Sequence, residues 1–375
     1  MAARGLRLFD QPAIKLGELG GEGQAGHAPT DHRHVCAFDA VIVAGDVAKS
    51  QNVPPRAGYP RRVKFAELAA RWQDRPVLVV GDAVLDCWLS GTPTRMSREA
   101  PVPVVTLDTT REVGGGAAAI AAAFTALGAR TTVVGATGDD DAGATLRSKV
   151  WDSGAADRMV VAVGRRTLTK RRVVAAGQVV ARFDDGDTAP LGGAAADTLL
   201  QRLAESLAEA PAAVVMCDLG AGTLGRAVRS MLAARRLDVP LLAIDALDVF
   251  PWAHLGPDLL TVALDTVSGV VEGTNGAAVA AARGMLLRST AAAVVSVTID
   301  AEGAVVLSQD ADTVHTSAAP GPRNQPAYVA GLVLAKLAGA TVAEAAATAQ
   351  RCAAARPSDL APAVAKIGVL EATPA

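Results

Sequence analysis

The chain repeats one arrangement: a short, continuously apolar run, then an alanine-rich stretch with helical spacing. Residues 76–80 run into Gly81-Asp82, 213–217 into Asp218 and 240–244 into Asp245, with further apolar runs at 133–135, 259–262, 293–297 and 304–307. Runs without polar alternation suit strands buried on both faces. Strands alternating with helices require a mostly parallel sheet covered on both sides, an α/β fold. The spacing predicts helices over 65–73, 194–209, 223–236, 275–288, 327–338 and 342–355. Residues 166–174 and 178–184 alternate as a hairpin about Ala176-Gly177. With short strands near 88–91 and 101–107, this hairpin forms a small β lid over the sheet's carboxyl edge. Gly114, Gly115 and Gly116 are expected to open a helix. The chain has no internal repeat.

Aromatic residues are 3% of a chain that is 50% apolar, so its core is built from Ala, Val and Leu. A net charge of −2 gives no reason to expect nucleic acid or an anionic membrane as partner. No apolar run reaches the ~18 to 20 residues of a membrane span, and the first residues carry no apolar leader. Cys36, Cys87, Cys217 and Cys352 are far apart and form no CxxC pair, as for reduced, buried thiols of a cytoplasmic protein. Residues 1–60 are Gly-rich and polar apart from an apolar run at 40–44, and read as a flexible extension before a single domain over 61–375. His27, Asp31, His32, His34 and Cys36 are liganding types in a bunch, but their spacing fits no closed zinc pattern, and a flexible polar tail accounts for them better.

Asp82 and Asp86 follow the first strand at its carboxyl end, where open α/β sheets bind ligands. A turn residue and a helix cap would have the same spacing. Asp218 and Asp245 also end strands and read as capping or turn residues. Residues 320–335 are a loop feeding an apolar helix, with Pro326 suited to its first position. Such a helix start holds anions, because free N–H groups and the helix dipole converge there. Here the turn is Arg323-Asn324-Gln325-Pro326, without the glycines that admit a phosphate or a carboxylate to take a proton.

From about Phe65 to Ala372 the chain resembles the ribokinase-like carbohydrate kinases, the phosphofructokinase B family, and within them the kinase domain of the heptose-7-phosphate kinases. The likeness rests on VLVVGDAVLD (77–86), TRMSREAPVPVV (94–105), GGGAAAIAAAFTALGA (114–129), VGATGDDDAG (134–143) and TLTKRRVVAAGQVVARFD (167–184) in that order. It implies a ribokinase-like three-layer sandwich with a mostly parallel central sheet and a small β lid, the lid forming a homodimer interface. It implies transfer of the ATP γ-phosphoryl group to a sugar hydroxyl, with Mg, by an Asp in a Gly-Ala-Gly-Asp turn. The family's next residues align on 327–332. This puts the catalytic Asp at Pro326 and the glycines at Arg323 and Gln325, so the resemblance supplies no catalytic base. Proline neither accepts a proton nor donates an N–H. The family's Asn after the glycines is Ala119, its Asn-x-x-Glu falls on Ala263 and Thr266, and the strand-end Lys has no counterpart in 219–222.

The resemblance leaves a sugar-side set: Asp82, Asp86, Arg95, Glu99, Gly115, Gly116, Lys170, Arg172, Gln178, Arg182 and Asp184. Thr298, Gly303 and Arg323 stand on the nucleotide or anion side, and no metal ligand is assigned. Without the resemblance, the hairpin charges read as a solvated face. Three functions remain open. One is a pseudokinase that keeps sugar-phosphate binding. Another is an active kinase in which Arg323 grips phosphate, with ATP and Mg as cofactors. The third is a structural partner that uses the lid.

Overall fold

The computed structural model describes residues 65–300, 302–318 and 324–354. The bunched His, Asp and Cys residues at 27–36, the apolar run at 40–44 and Arg323 lie outside these residues. In chain order, α1 (Phe65–Trp72) leads into β1 (Pro76–Gly81), β2 (Ala83–Met96), β3 (Pro103–Gly116), α2 (Ala117–Ala126), β4 (Arg130–Val134) and β5 (Ala136–Gly138). Then come α3 (Asp141–Asp152), β6 (Ala156–Asp157), β7 (Val160–Ala162), β8 (Thr169–Ala175) and β9 (Gln178–Asp185). The second half alternates through α4 (Gly193–Ala208), β10 (Ala213–Asp218), α5 (Arg226–Ala234), β11 (Leu242–Ala246), β12 (Leu259–Ala263), α6 (Gly276–Ala281) and α7 (Arg283–Thr290). It closes with β13 (Val294–Ile299), β14 (Gly303–Ser308), β15 (Val314–Ser317), α8 (Gln325–Leu337) and α9 (Val342–Ala354).

Nine strands form one sheet in the order β15-β14-β13-β12-β11-β10-β1-β4-β6. From β6 to β13 every neighbour is parallel, and β14 and β15 are antiparallel additions. The two faces carry separate apolar cores. One packs α1, α2, α3, α8 and α9, the other α4, α5, α6 and α7. As expected from the scarcity of aromatics, these cores are Ala, Val and Leu around a few large side chains, Trp72, Phe124, Trp252 and Tyr328. Helix α8 is buried at every position from 327 to 335. Its Gly331 lets α9 approach, since a Cβ there would lie 2.8 Å from Cys352 Sγ. Close packing leaves such a site no room.

A second sheet, β3-β2-β8-β9, forms the lid. The expected short strands at 88–91 and 101–107 are parts of two fourteen-residue strands, β2 and β3, joined along their whole length. Gly114, Gly115 and Gly116 lead into α2 as expected, Gly116 being its N-cap, and they are also the last residues of β3. The expected helix at 275–288 is two helices parted at Ala282, and α3 and β15 went unforeseen.

Candidate functional site

Strand register alone brings together five of the eleven sugar-side residues, with Trp88 beside them. Asp86 pairs with Lys170, Trp88 with Arg172, Lys170 with Asp184 and Arg172 with Arg182. Paired residues share a face and alternate residues do too, so these six side chains stand on one face of the lid. Arg172 Nη1 donates to Asp86 Oδ1 at 2.7 Å, and the Arg172 guanidinium lies 4.7 Å from the Trp88 ring centre. Arg182 forks onto Asp184 through Nε (2.9 Å) and Nη2 (2.7 Å). That fork holds the Asp184 carboxyl below the usual carboxylate range, with Lys170 and Arg172 adding to it. Gly115 is forced by the same arrangement, because a Cβ there would overlap Asp86 Oδ2.

Three members of the set stand apart. Gln178 is exposed at the hairpin turn, four residues along β9 from Arg182 and thus about 13 Å away. Arg95 is exposed nine residues beyond Asp86, about 30 Å along β2. Glu99 lies past the end of that strand.

Asp82 is 1% exposed, and its carboxylate is already committed. It accepts the N–H groups of Leu219 (2.9 Å), Ala221 (2.9 Å) and Thr223 (3.1 Å), in the loop after β10. Gly116, with φ 56°, sits against the Asp82 carbonyl, where a Cβ would clash. Both residues therefore shape the lid root.

At the start of α8 the amides of Ala327 and Tyr328 are used internally. Asn324 caps the helix, its Oδ1 accepting from Ala327 N at 3.2 Å and its carbonyl from Tyr328 N at 3.0 Å. Pro326 has no N–H to offer and stands second in the helix rather than first. The Gln325 side chain reaches back to Asp245 Oδ1 at 3.5 Å, which also accepts from Thr261 Oγ1 at 2.6 Å. Burial pushes the Asp245 carboxyl above its ordinary range, and Asp218 is pushed up for the same reason. Asp218 is held by Gly220 N (3.1 Å) and Trp252 Nε1 (3.0 Å).

Thr298 is buried and donates to the Val262 carbonyl at 3.3 Å. Gly303, with φ 118°, is required by the β14–β15 pairing, since a Cβ would overlap the Thr316 carbonyl. No group of three His, Cys, Asp or Glu side chains suited to a metal forms among the described residues. Sequence reasoning missed an open groove of about 390 Å³, lined by Thr316, Ser317 and Ala318 and by Ala347, Gln350, Arg351 and Ala354 of α9. Gln350 Oε1 is buried there without a donor among the described residues. A polar residue within an alanine-rich helix was the only sign of it.

The pfkB family carbohydrate kinase profile matches residues 75–358. Similar proteins include the bifunctional protein HldE of Gluconobacter oxydans (strain 621H), 34% identical over 251 residues, covering 64% of this chain and 51% of that protein. HldE of Pseudomonas savastanoi pv. phaseolicola is 32% identical over 252 residues, 66% and 52% of the two chains. The chain spans about half the length of the curated relatives it matches. Among solved structures, phosphofructokinase-2 from Escherichia coli in complex with fructose-6-phosphate aligns with TM-score 0.60 at 17% identity, over 78% of this chain and 100% of that one. A carbohydrate kinase from Agrobacterium tumefaciens aligns with TM-score 0.58 at 18% identity, over 78% and 96%. These two alignments establish the ribokinase-like fold.

Proposed function

The chain belongs to the pfkB family of carbohydrate kinases, and from that premise we propose that it binds a sugar phosphate without transferring a phosphoryl group. The observation that carries this is the start of α8. Its turn contains no carboxylate, Pro326 gives no N–H, and the next two amide donors are taken by Asn324. Losing a general base costs about 10² to 10⁴ in rate, and losing an anion hole about 10² to 10³ more. Even with non-additive effects, ordinary turnover is not expected. The lid face supports retained binding. Asp86 is a hydroxyl acceptor fixed by Arg172, and Lys170, Arg172 and Arg182 give it a net positive character.

One observation favours a second reading, an active kinase using ATP and Mg. Asp245 is a carboxylate of raised pKa in contact with Gln325, next to the family's base position. The groove along α9 would then take the nucleotide, with Gly303 supporting the β14–β15 pairing that carries its Thr316 and Ser317, Thr298 on the neighbouring β13 and Arg323 gripping phosphate.

Two copies joined through their lids suit the lid's exposed apolar residues, among them Met96 (57% exposed), Leu107 (51%) and Phe183 (48%). Arg95 and Glu99, too far from Asp86 in their own chain, would then serve the neighbouring copy's site. A cytoplasmic location agrees with the buried free thiols Cys87, Cys217 and Cys352. No helix among the described residues is long and apolar enough to cross a membrane.

The binding half of the proposal is tested by calorimetric titration with D-glycero-D-manno-heptose 7-phosphate. Saturable binding that weakens at least tenfold in Asp86→Ala is expected for a lost charge-assisted contact. No heat from the wild type would leave the lid as a protein-docking surface only.

A further inference from the structure

The loop at residues 219–223, between β10 and α5, is gripped from two sides. From one side Asp82 takes the N–H groups of Leu219, Ala221 and Thr223. From the other, Arg165 Nη2 donates to the Ala221 carbonyl at 2.6 Å. The two opposite charges therefore hold the N–H and the C=O of one residue, Ala221. Neither charge touches the other; each acts through a polarised peptide.

Each gripping residue also holds a root of the lid. Asp82 is the corner between β1 and β2: its N–H donates to Cys217 O at 2.9 Å and its carbonyl accepts from Ala117 N at 2.9 Å, just past the end of β3. Arg165 precedes β8 and donates to the carbonyls of Asp187 (3.1 Å) and Ala189 (2.9 Å), just past the end of β9. Leu191 N closes onto Gly222 O at 2.8 Å, and Gly222, with φ 84°, packs where a Cβ would overlap Ala189 O. All four lid strands thus leave the core at groups bonded to this loop or to the residues that hold it.

We propose that residues 219–223 are the mounting of the lid, and that Asp82 and Arg165 are positioning residues that set the Asp86–Arg172 face without touching its ligand. The chemistry suits that duty. A carboxylate that receives three N–H groups and a planar guanidinium spread over three carbonyls are charge-assisted and geometrically fixed. Removing either leaves several partly buried peptide groups without partners, so the loop loosens and the strand ends loosen with it. For the ligand face, the inference rests on the sugar-phosphate reading above; for the lid's attachment it stands alone.

The test is hydrogen–deuterium exchange on the full chain, for wild type, Arg165→Met, Arg165→Lys and Asp82→Asn, with Arg166→Met as control. The Arg166 side chain pairs with Asp185 and, at 3.8 Å, with Asp187 at the lid's edge, but bonds no group of residues 219–223. Exchange over 169–185 and over 219–223 is expected to quicken together in Arg165→Met and Asp82→Asn, by about tenfold, with β11, β12 and β13 unchanged. Arg165→Lys should quicken both as well, because an ammonium cannot span three carbonyls. The affinity for heptose 7-phosphate should weaken about tenfold in the same variants. A lid that quickens while 219–223 does not, exchange that rises through β11 to β13 in every variant, or Arg165→Lys behaving as wild type would overturn the mounting. Coupled exchange in a protein that binds no heptose phosphate would retain the mounting and remove the function.

Discussion

Gly115 and Asp86 form a pair in which the backbone makes room for the charge. With the Asp86 carboxylate lying where a Gly115 Cβ would be, Gly115→Ala must turn Asp86 away from Arg172. We expect a folded protein whose sugar-phosphate affinity falls at least tenfold, as in Asp86→Ala, read by calorimetry. Asp245 predicts a pH effect of the opposite kind to an ordinary surface aspartate. Its folded pKa is raised by burial. Between the unfolded value near 3.9 and that higher value, the folded chain holds the proton and the unfolded chain does not. This carboxyl therefore costs stability progressively as pH rises through that window, and the full cost persists above it. Asp245→Asn should gain stability relative to wild type over the same window, as seen in urea midpoints taken against pH. The difference between the two proteins is the readout, because Asp140 works in reverse. Burial tends to raise the Asp140 pKa, but hydrogen bonds from Thr167 and Gly143 outweigh it and hold it low. At this scale the resemblance singled out Asp86, Lys170, Arg172, Arg182 and Asp184; strand alternation alone put the four hairpin residues on one face but read them as a solvated one. Asp82, Thr298 and Gly303 were legible as positions but not as duties. Their partners Leu219, Val262 and Thr316 belong to other elements, 137 residues away for Asp82 and Leu219.

Among the elements, the β8–β9 hairpin and α8 carry the clearest local instructions. Ala176 and Gly177 turn the hairpin with φ 51° and 78°, the pair of positive values of a type I′ turn. An alanine there is strained, so Ala176→Asn should stabilise the protein by about 0.5–1 kcal/mol, measured as a higher urea midpoint. Losing the Asn324 cap should cost about 1 kcal/mol in Asn324→Ala. The parallel strands were readable because burial on both faces leaves them nothing but apolar residues. β2 and β3 were not, because their outer halves are exposed and polar, and paired backbone rather than apolar patterning keeps them extended. The three glycines do open a helix, with Gly116 as the N-cap of α2; that they also end β3 was not legible, because their further constraint, the closeness of Asp86 and the Asp82 carbonyl, is tertiary.

For the molecule as a whole, the proposed reading separates fold from chemistry. The α/β sandwich and lid are retained, and the sheet's carboxyl edge still gathers Asp82, Asp218 and Asp245, yet each of these carboxylates has partners within the protein. An exposed apolar lid predicts self-association: sedimentation should show a dimer, and Leu107→Glu should shift it to monomer. The central claim, binding without phosphoryl transfer, is tested most directly by ADP release from Mg·ATP with saturating D-glycero-D-manno-heptose 7-phosphate. The account predicts no sugar-dependent ADP from a protein that binds the sugar phosphate. Sugar-dependent ADP that disappears in Asp86→Ala would contradict it, and its loss in Asp245→Asn would identify the base.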